Sequence, residues 1–468
     1  SIAGITRFRV QASNQIKRLV IQSRAATTTY GSVVQLKLVT FKNYTLSNQH
    51  GDYIILTNSA LFNDGTGANY VDQYKNYRAS IDGGSYNPIV VDVADIYNEF
   101  GYGYTFHAQS IKNFLHYAHI NSNWITKPKF VFLIGKGISY DNYLAYNAGA
   151  GTSYLYPIVP SFGNPCSDNL LTDFDFTSKP QIPIGRLPAW NGNDVRIYLE
   201  KIKAHEKSIT NTNYQISDSV AWKKNVLHIA GASKSSEQIP ILSALSSHEN
   251  IIKGNYYGAN VTTIKKSTTS TVESANSIVI DQLFKGGLNL VQFFGHASAS
   301  TLDYNLDNPE LMTNEGRYPV FIANGCGVGN VFILVSQRTL GEKFVLSPKG
   351  GSIAFIASIN TGLLDKLAYY TDTLYRQMSI NLYGKTIGEQ LKANIAALKL
   401  NTDGLLRQHA EQIVLNGDPA TSLHSFSKPD YAVEEKGVSF SQLNLTTNLD
   451  SFDVQVIVYN LGQYSKDS

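Results

Sequence analysis

Two apolar runs in this chain end on residues that can attack a carbonyl and move a proton. LNLVQFFGHASAS, Leu288 to Ser300, reaches His296 just past its aromatic pair, and PVFIANGCGVGN, Pro319 to Asn330, reaches Cys326. Cysteine attacks as the thiolate, and an imidazole beside it can take the thiol proton and return it to a leaving amine. Small residues flank both positions: Gly295 and Ala297 around the histidine, Gly325 and Gly327 around the cysteine. They leave room for a substrate backbone, and for main-chain N–H groups at Ala297, Gly325 or Gly327 to meet a developing oxyanion. Such a pair suits acyl transfer, with water or an amine as acceptor. The competing reading is packing, in which the histidine closes a strand and the cysteine fills the core as a small hydrophobe.

For the two groups to meet, LVQFF and VFIAN must be parallel strands, because ligands of an open parallel sheet sit beyond the strands' carboxyl ends. The surrounding sequence supplies that kind of sheet. DYIILTN, PIVVD, KFVFLIG, QIPIGRL, KNVLHIAG and GSIAFIAS read as short buried strands. Between them, Gly101 to Ile120, NDVRIYLEKIKAHEK, ANSIVIDQLFKGG, LLDKLAYYTDTLYRQM and TIGEQLKANIAALKL carry helical spacing. The helix after Trp190 opens on Asn193 or Asp194 as its cap. Strand alternating with helix predicts a mostly parallel sheet flanked by helices, an α/β protein in two similar lobes. VVQLKLVTF, Val33 to Phe41, adds an early half-buried strand, and Gly149 to Pro180 reads as a long irregular excursion. After LNGDPATSL the pattern turns to β only, with DVQVIVYN its best strand, which predicts the start of a C-terminal β-sandwich.

The 468 residues exceed one comfortable core, so two or three domains are expected. Charged residues make up only 16%, and 29 tyrosines carry part of the polarity, a balance that leans to an extracellular or cell-surface setting. A net charge of +3 gives no reason to expect nucleic acid. No apolar run is long enough to predict a membrane span. The opening SIAG, without methionine or leader, reads as a processed or trimmed start. Two cysteines, Cys166 and Cys326, exclude a disulfide framework and multi-cysteine metal clusters.

Read together, FGYGYTFHAQSIKNFL, FVFLIGKGISYD, SDNLL, IPIGRLPA, LVQFFGHA, FIANGCG, LGEKFVLSPKGGSIAFIAS and LNGDPA form an ordered series from about Ile54 to Leu423. The series resembles the gingipain-like cysteine peptidase family, whose catalytic domain has a caspase-like fold. The resemblance implies His296 as general base and acid, Cys326 as nucleophile, and oxyanion support from nearby main chain. It divides the chain into a β-rich segment over 1–50, a first α/β lobe over 51–220, a catalytic caspase-like lobe over 221–429, and the beginning of a β-sandwich domain over 430–468. It implies a cysteine endopeptidase acting on peptide or protein substrates through a thioester, secreted or on the outer surface of a bacterium, without nucleic acid or a membrane span. The alternatives are a sortase-like transpeptidase with partners in the type IX secretion system, or an inactive attachment scaffold of the same fold.

Three positions depart from the family pattern. Ala297 replaces the glycine of the usual Gly-His-Gly, Lys136 stands where an aspartate often follows the early strand, and Gln181 stands near an acidic position that orients the histidine. Gln181 can still hydrogen-bond an imidazole, and Asp168 is the alternative orienter, with Asp173 and Asp175 in the same loop. Asp194 reads as a helix N-terminal acid, Trp190, Tyr154 and Tyr156 as cleft or packing aromatics, Cys166 as buried filler, and Asp418 as a turn residue bonding backbone. No cofactor is required for the chemistry. The resemblance admits a structural calcium ion, for which no EF-hand loop pattern exists here, so the metal content stays unknown.

Overall fold

The computed structural model describes residues 39, 41–139, 142–143, 156–210, 220–254, 256–274, 277–334, 336–442 and 450–464. Phe41–Ser468 forms one compact unit. The expected early strand at 33–41 lies outside the described residues except at its last positions.

Ten strands build one sheet in the order β2-β1-β3-β4-β10-β9-β8-β7-β5-β6. They are β1 (Tyr53–Thr57), β2 (Pro88–Asp92), β3 (Phe130–Ile134), β4 (Ile184–Leu187), β5 (Asn225–Ala230), β6 (Asn260–Lys265), β7 (Leu290–Phe294), β8 (Val320–Asn324), β9 (Ala354–Ser358) and β10 (Ile413–Asn416). Every neighbouring pair is parallel except β9 with β10, where Ile413 faces Ser358 and Asn416 faces Phe355. The sheet is therefore two parallel halves running in opposite directions. The carboxyl ends of β1 to β4 lie at one edge, and those of β5 and β7 to β9 at the other.

Most strands read as continuous apolar runs because helices cover both faces. In β1, Tyr53 and Ile55 join one core cluster while Ile54 and Leu56 join another. The first is closed by α1 (Tyr70–Ala79) and α4 (Gly192–Thr210) through Val71, Tyr74, Val195 and Tyr198. The second is closed by α2 (Val93–Phe100) and α3 (Ala108–Ile120) through Ile96, Ile111, Phe114 and Leu115. The second half is covered by α5 (Ser235–Lys253), α6 (Ser277–Gly286), α7 (Leu340–Leu346), α8 (Leu364–Arg376), α9 (Ile387–Ala397) and α10 (Gly404–Gln412). Capping boxes start α7 at Thr339 with Glu342 and α9 at Thr386 with Glu389.

The β-patterned tail forms an antiparallel ribbon, β11 (Tyr431–Phe440) with β12 (Val454–Asn460), shifted in register between Val433 and Val438. It is tied to the body by the Lys224 ammonium on Asn460 O (2.9 Å) and by Tyr464 N–H on Tyr256 O (2.9 Å).

Candidate active site

β7 and β8 are register partners through Phe294 and Asn324, and Gly295 N–H continues the ladder to Asn324 O at 3.1 Å. His296 follows β7 by two residues and Cys326 follows β8 by two, so both leave the sheet at the carboxyl ends of adjacent strands. Neighbouring strands run about 4.8 Å apart. Both side chains are exposed, and Cys326 is a free thiol.

The turn that carries His296 is fixed from below by a buried carboxylate. Asp303 Oδ2 accepts the N–H groups of His296 and Ala232, each at 2.8 Å, and its Oδ1 pairs with Lys266 Nζ at 3.3 Å. Ala232, just past β5, sits at φ 66°, a left-handed conformation unusual for alanine that this hydrogen bond helps to hold. A Cβ on either Gly231 or Gly295 would come within 3 Å of Asp303 Oδ2 and of the other glycine's Cα. The strand ends of β5 and β7 thus meet backbone to backbone around one carboxylate.

Joining β5 to β7 in this way brings the first turn of α5 to the histidine. Glu237 Oε2 lies 3.2 Å from His296 Nε2. A carboxylate in a helix's first turn complements the helix dipole, and Glu237 can accept from Nε2 in the tautomer that carries its proton there. Sequence reasoning did not single out Glu237. Its signal is the acid in SSEQIP, which opens the helix after β5 at the same sheet edge as His296.

The two positions expected to orient the histidine are engaged elsewhere. Asp168 holds Arg186 of β4 in a bidentate pair (2.8 and 2.7 Å) and accepts Ser161 Oγ at 2.7 Å, all buried. Gln181 lies before β4, its N–H on Thr172 O at 2.8 Å. Asp173 and Asp175 fold their own loop, accepting from Thr177 and Ser178. Burial raises the Asp173 carboxyl above the usual range, while the Thr177 hydroxyl lowers Asp175.

Around Cys326 the glycines have separate tasks. Gly362 N–H donates to Cys326 Sγ at 3.4 Å. Gly327 takes φ 65° and gives its N–H to Asn360 O at 2.8 Å, so that donor is already used. A Cβ at Gly325 would lie 2.6 Å from the Ala297 methyl, so the extra carbon at Ala297 is matched by the absence of one across the gap. Ala297 bridges Leu302 between two hydrogen bonds, Asp303 N–H to His296 O and Ser298 N–H to Thr301 O. That pattern leaves the Ala297 N–H outside the pairing.

The remaining candidates are structural in their contacts. Lys136 follows β3 at the opposite edge and forms a buried ion pair with Glu342, to which Trp190 Nε1 also donates at 3.0 Å. Burial lowers its pKa and Glu342 opposes the shift. Asp194 pairs with Arg338 at 2.8 Å and accepts Trp190 N–H at 2.7 Å. Tyr156 packs edge-on against Trp190, and Tyr154 lies outside the described residues. Cys166 is buried with Sγ on Ile138 O at 3.3 Å, and Asp418 is buried against Arg78 and Tyr74. Among the described residues no group of three or more His, Cys, Asp or Glu is placed to hold a metal, and no helix is long and apolar enough to cross a membrane.

An open sheet flanked by helices, here with a thiol and an imidazole leaving neighbouring strand ends, is the architecture of a caspase-like α/β protein. The chain belongs to this class through peptidase family C25, whose pattern matches residues 46–424. It is similar in fold to the Arg specific cysteine proteinase gingipain R, at 15% identity over 84% of this chain and 83% of that one, with a TM-score of 0.58. A complex of Porphyromonas gingivalis RgpB pro- and mature domains matches at 15% identity over 82% and 83%, TM-score 0.57. A further structure, described as a protease, matches at 13% identity over 91% and 94%, TM-score 0.59. No curated protein matches the sequence.

Proposed function

We propose that this protein is a cysteine endopeptidase in which Cys326 attacks the scissile carbonyl and His296 carries the proton. The observation that supports it most is the arrangement at one edge: His296 and Cys326 on adjacent strand ends, with Glu237 on His296 Nε2. With Nε2 protonated toward Glu237, Nδ1 takes the thiol proton. The thiolate forms a C–S bond to the carbonyl carbon, and the Ala297 N–H is the donor we assign to the resulting oxyanion. Collapse breaks the C–N bond as Nδ1 protonates the departing amine, leaving a thioester. Water then attacks as Nδ1 accepts its proton, the C–S bond breaks, and the acid product leaves.

An extracellular or outer-surface setting agrees with the low charge and high tyrosine content. The test is labelling of the intact protein by a thiol-reactive peptidyl probe. Cys326→Ala should abolish it, and His296→Ala should slow it by at least ~100-fold, the scale of a lost general base. Labelling unchanged by either substitution sinks the peptidase reading and leaves an inactive scaffold. Adding an amine acceptor to a cleaved substrate separates hydrolysis from the transpeptidase chemistry of a type IX sorting enzyme by the mass of the product.

A further inference from the structure

The sulfur of Cys326 rests against a short loop, Ile359 to Leu363, that belongs to the strand beyond it. Gly362 supplies both contacts, its N–H at 3.4 Å and its carbonyl at 3.9 Å from Sγ. A Cβ there would lie 2.5 Å from Cδ1 of the buried Leu367, so any larger residue would have to displace that side chain. The two peptide groups that meet at Gly362 are each held from behind by α10. The Thr361–Gly362 peptide gives its carbonyl to Gln412 Nε2 at 2.8 Å. The Gly362–Leu363 peptide gives its N–H to His409 Nε2, also at 2.8 Å. A trans peptide directs its C=O and N–H in opposite directions, so fixing one end aims the other. Gln412 therefore aims the Gly362 N–H at the sulfur, and His409 aims the Gly362 carbonyl.

His409 suits this task in one protonation state. A backbone N–H can only donate, so Nε2 must accept from Leu363, and Nδ1 carries the proton to Leu405 O at 2.7 Å. Both ring nitrogens are satisfied by backbone and the residue is buried, which leaves it no part in proton transfer to substrate.

We propose that His409 and Gln412 are positioning residues for the nucleophile, a clamp that holds the Gly362 peptides against Cys326 and so keeps its thiolate accessible. The proposal rests on the peptidase reading for its purpose, and its test reads the thiol alone. In the full-length protein, the rate of Cys326 alkylation by iodoacetamide is followed against pH by mass of the Cys326 peptide, with His296→Ala run alongside. His409→Asn keeps a donor for Leu405 but cannot reach Leu363, and Gln412→Met removes the donor to Thr361. Each should move the alkylation midpoint up by about one pH unit, roughly tenfold less thiolate at lower pH, as for one lost hydrogen bond to a charged acceptor. His409→Gln, which can still accept from Leu363, should restore the wild-type profile.

Buried Cys166 reports unfolding in the same digest. Profiles of His409→Asn and Gln412→Met that overlay the wild type while Cys166 stays protected overturn the clamp. If these variants unfold, hydrogen exchange of the wild-type protein decides: the Gly362 and Leu363 amides should be protected well beyond an open loop, and free exchange at both overturns it. An effect of the clamp variants with none from His296→Ala sinks the dyad and leaves the clamp standing.

Discussion

Glu237 is the residue of the site that the sequence reading did not name, and Ala297 a named one whose methyl finds its match in Gly325. Glu237 is the acid that meets His296, so Glu237→Gln should retain the fold, lower the rate of peptidyl-probe labelling by about tenfold, and leave Cys326 required. An unchanged rate would remove Glu237 from the mechanism. Ala297 changes the local packing through its methyl, which occupies the space a Cβ on Gly325 would need. Gly325→Ala should cost ~1–3 kcal/mol in a urea titration, the usual penalty of overpacking, and Ala297→Gly in the same chain should recover much of it. Equal stability of the single and double variants would show that the methyl groups do not compete. The sequence made His296 and Cys326 legible because each follows a buried, mostly apolar strand. It left Glu237 hidden because its link to His296 runs through Asp303 and the paired glycines of two strand ends, contacts with no local signature.

Elements were legible in proportion to how fully they are buried. β1, β3, β7, β8 and β9, with every residue buried, stand out as apolar runs. β6, an edge strand of sequence NVTTIK with four of its six residues exposed and none buried, does not. β10 escaped notice for another reason: it follows α10 without a glycine or proline between them, so HAEQIVLN offers no boundary. Asp168 and Arg186 illustrate an element-scale role that composition cannot separate from catalysis. Their buried pair ties the long loop to β4, with Arg186 also donating to Gly135 O and Val159 O at 3.1 and 2.8 Å. Asp168→Ala strands a buried guanidinium and should cost ~3–5 kcal/mol, read as a drop in the denaturation midpoint. The labelling rate of the protein that remains folded should not change. A catalytic loss without a stability loss would return Asp168 to the histidine.

At the scale of the whole molecule, several histidines are packed where a positive charge is unwelcome. Burial pulls His205 down to about 4 and His228 to about 3, and holds His424, its ring centre 4.3 Å from that of His205, well below the ordinary value. Their folded pKa values are below the unfolded ~6.5, so the unfolded chain binds more protons as pH falls. Their stabilisation is complete above about pH 6.5 and is lost on acidification, at roughly 1.4 kcal/mol per pH unit for each group. Glu206, raised by burial despite Arg78, takes up its proton earlier in the fold and offsets part of the loss. The urea midpoint should therefore fall between pH 7 and pH 5, and a flat midpoint across that window would contradict the burial of these rings as neutral species. The seam between the two halves bears on how the molecule is made. β10 is the piece that joins β4 to β9, yet it comes at residues 413–416, long after both. While the chain is being synthesised, β5, β7 and β8 can pair and bring together the strand ends that lead to His296 and Cys326, but β4 and β9 keep bare edges. α10, which clamps the thiol's loop, directly precedes β10 in the chain. A growing chain thus acquires the closure of its sheet and the hydrogen bonds that hold the loop beside Cys326 in one late step.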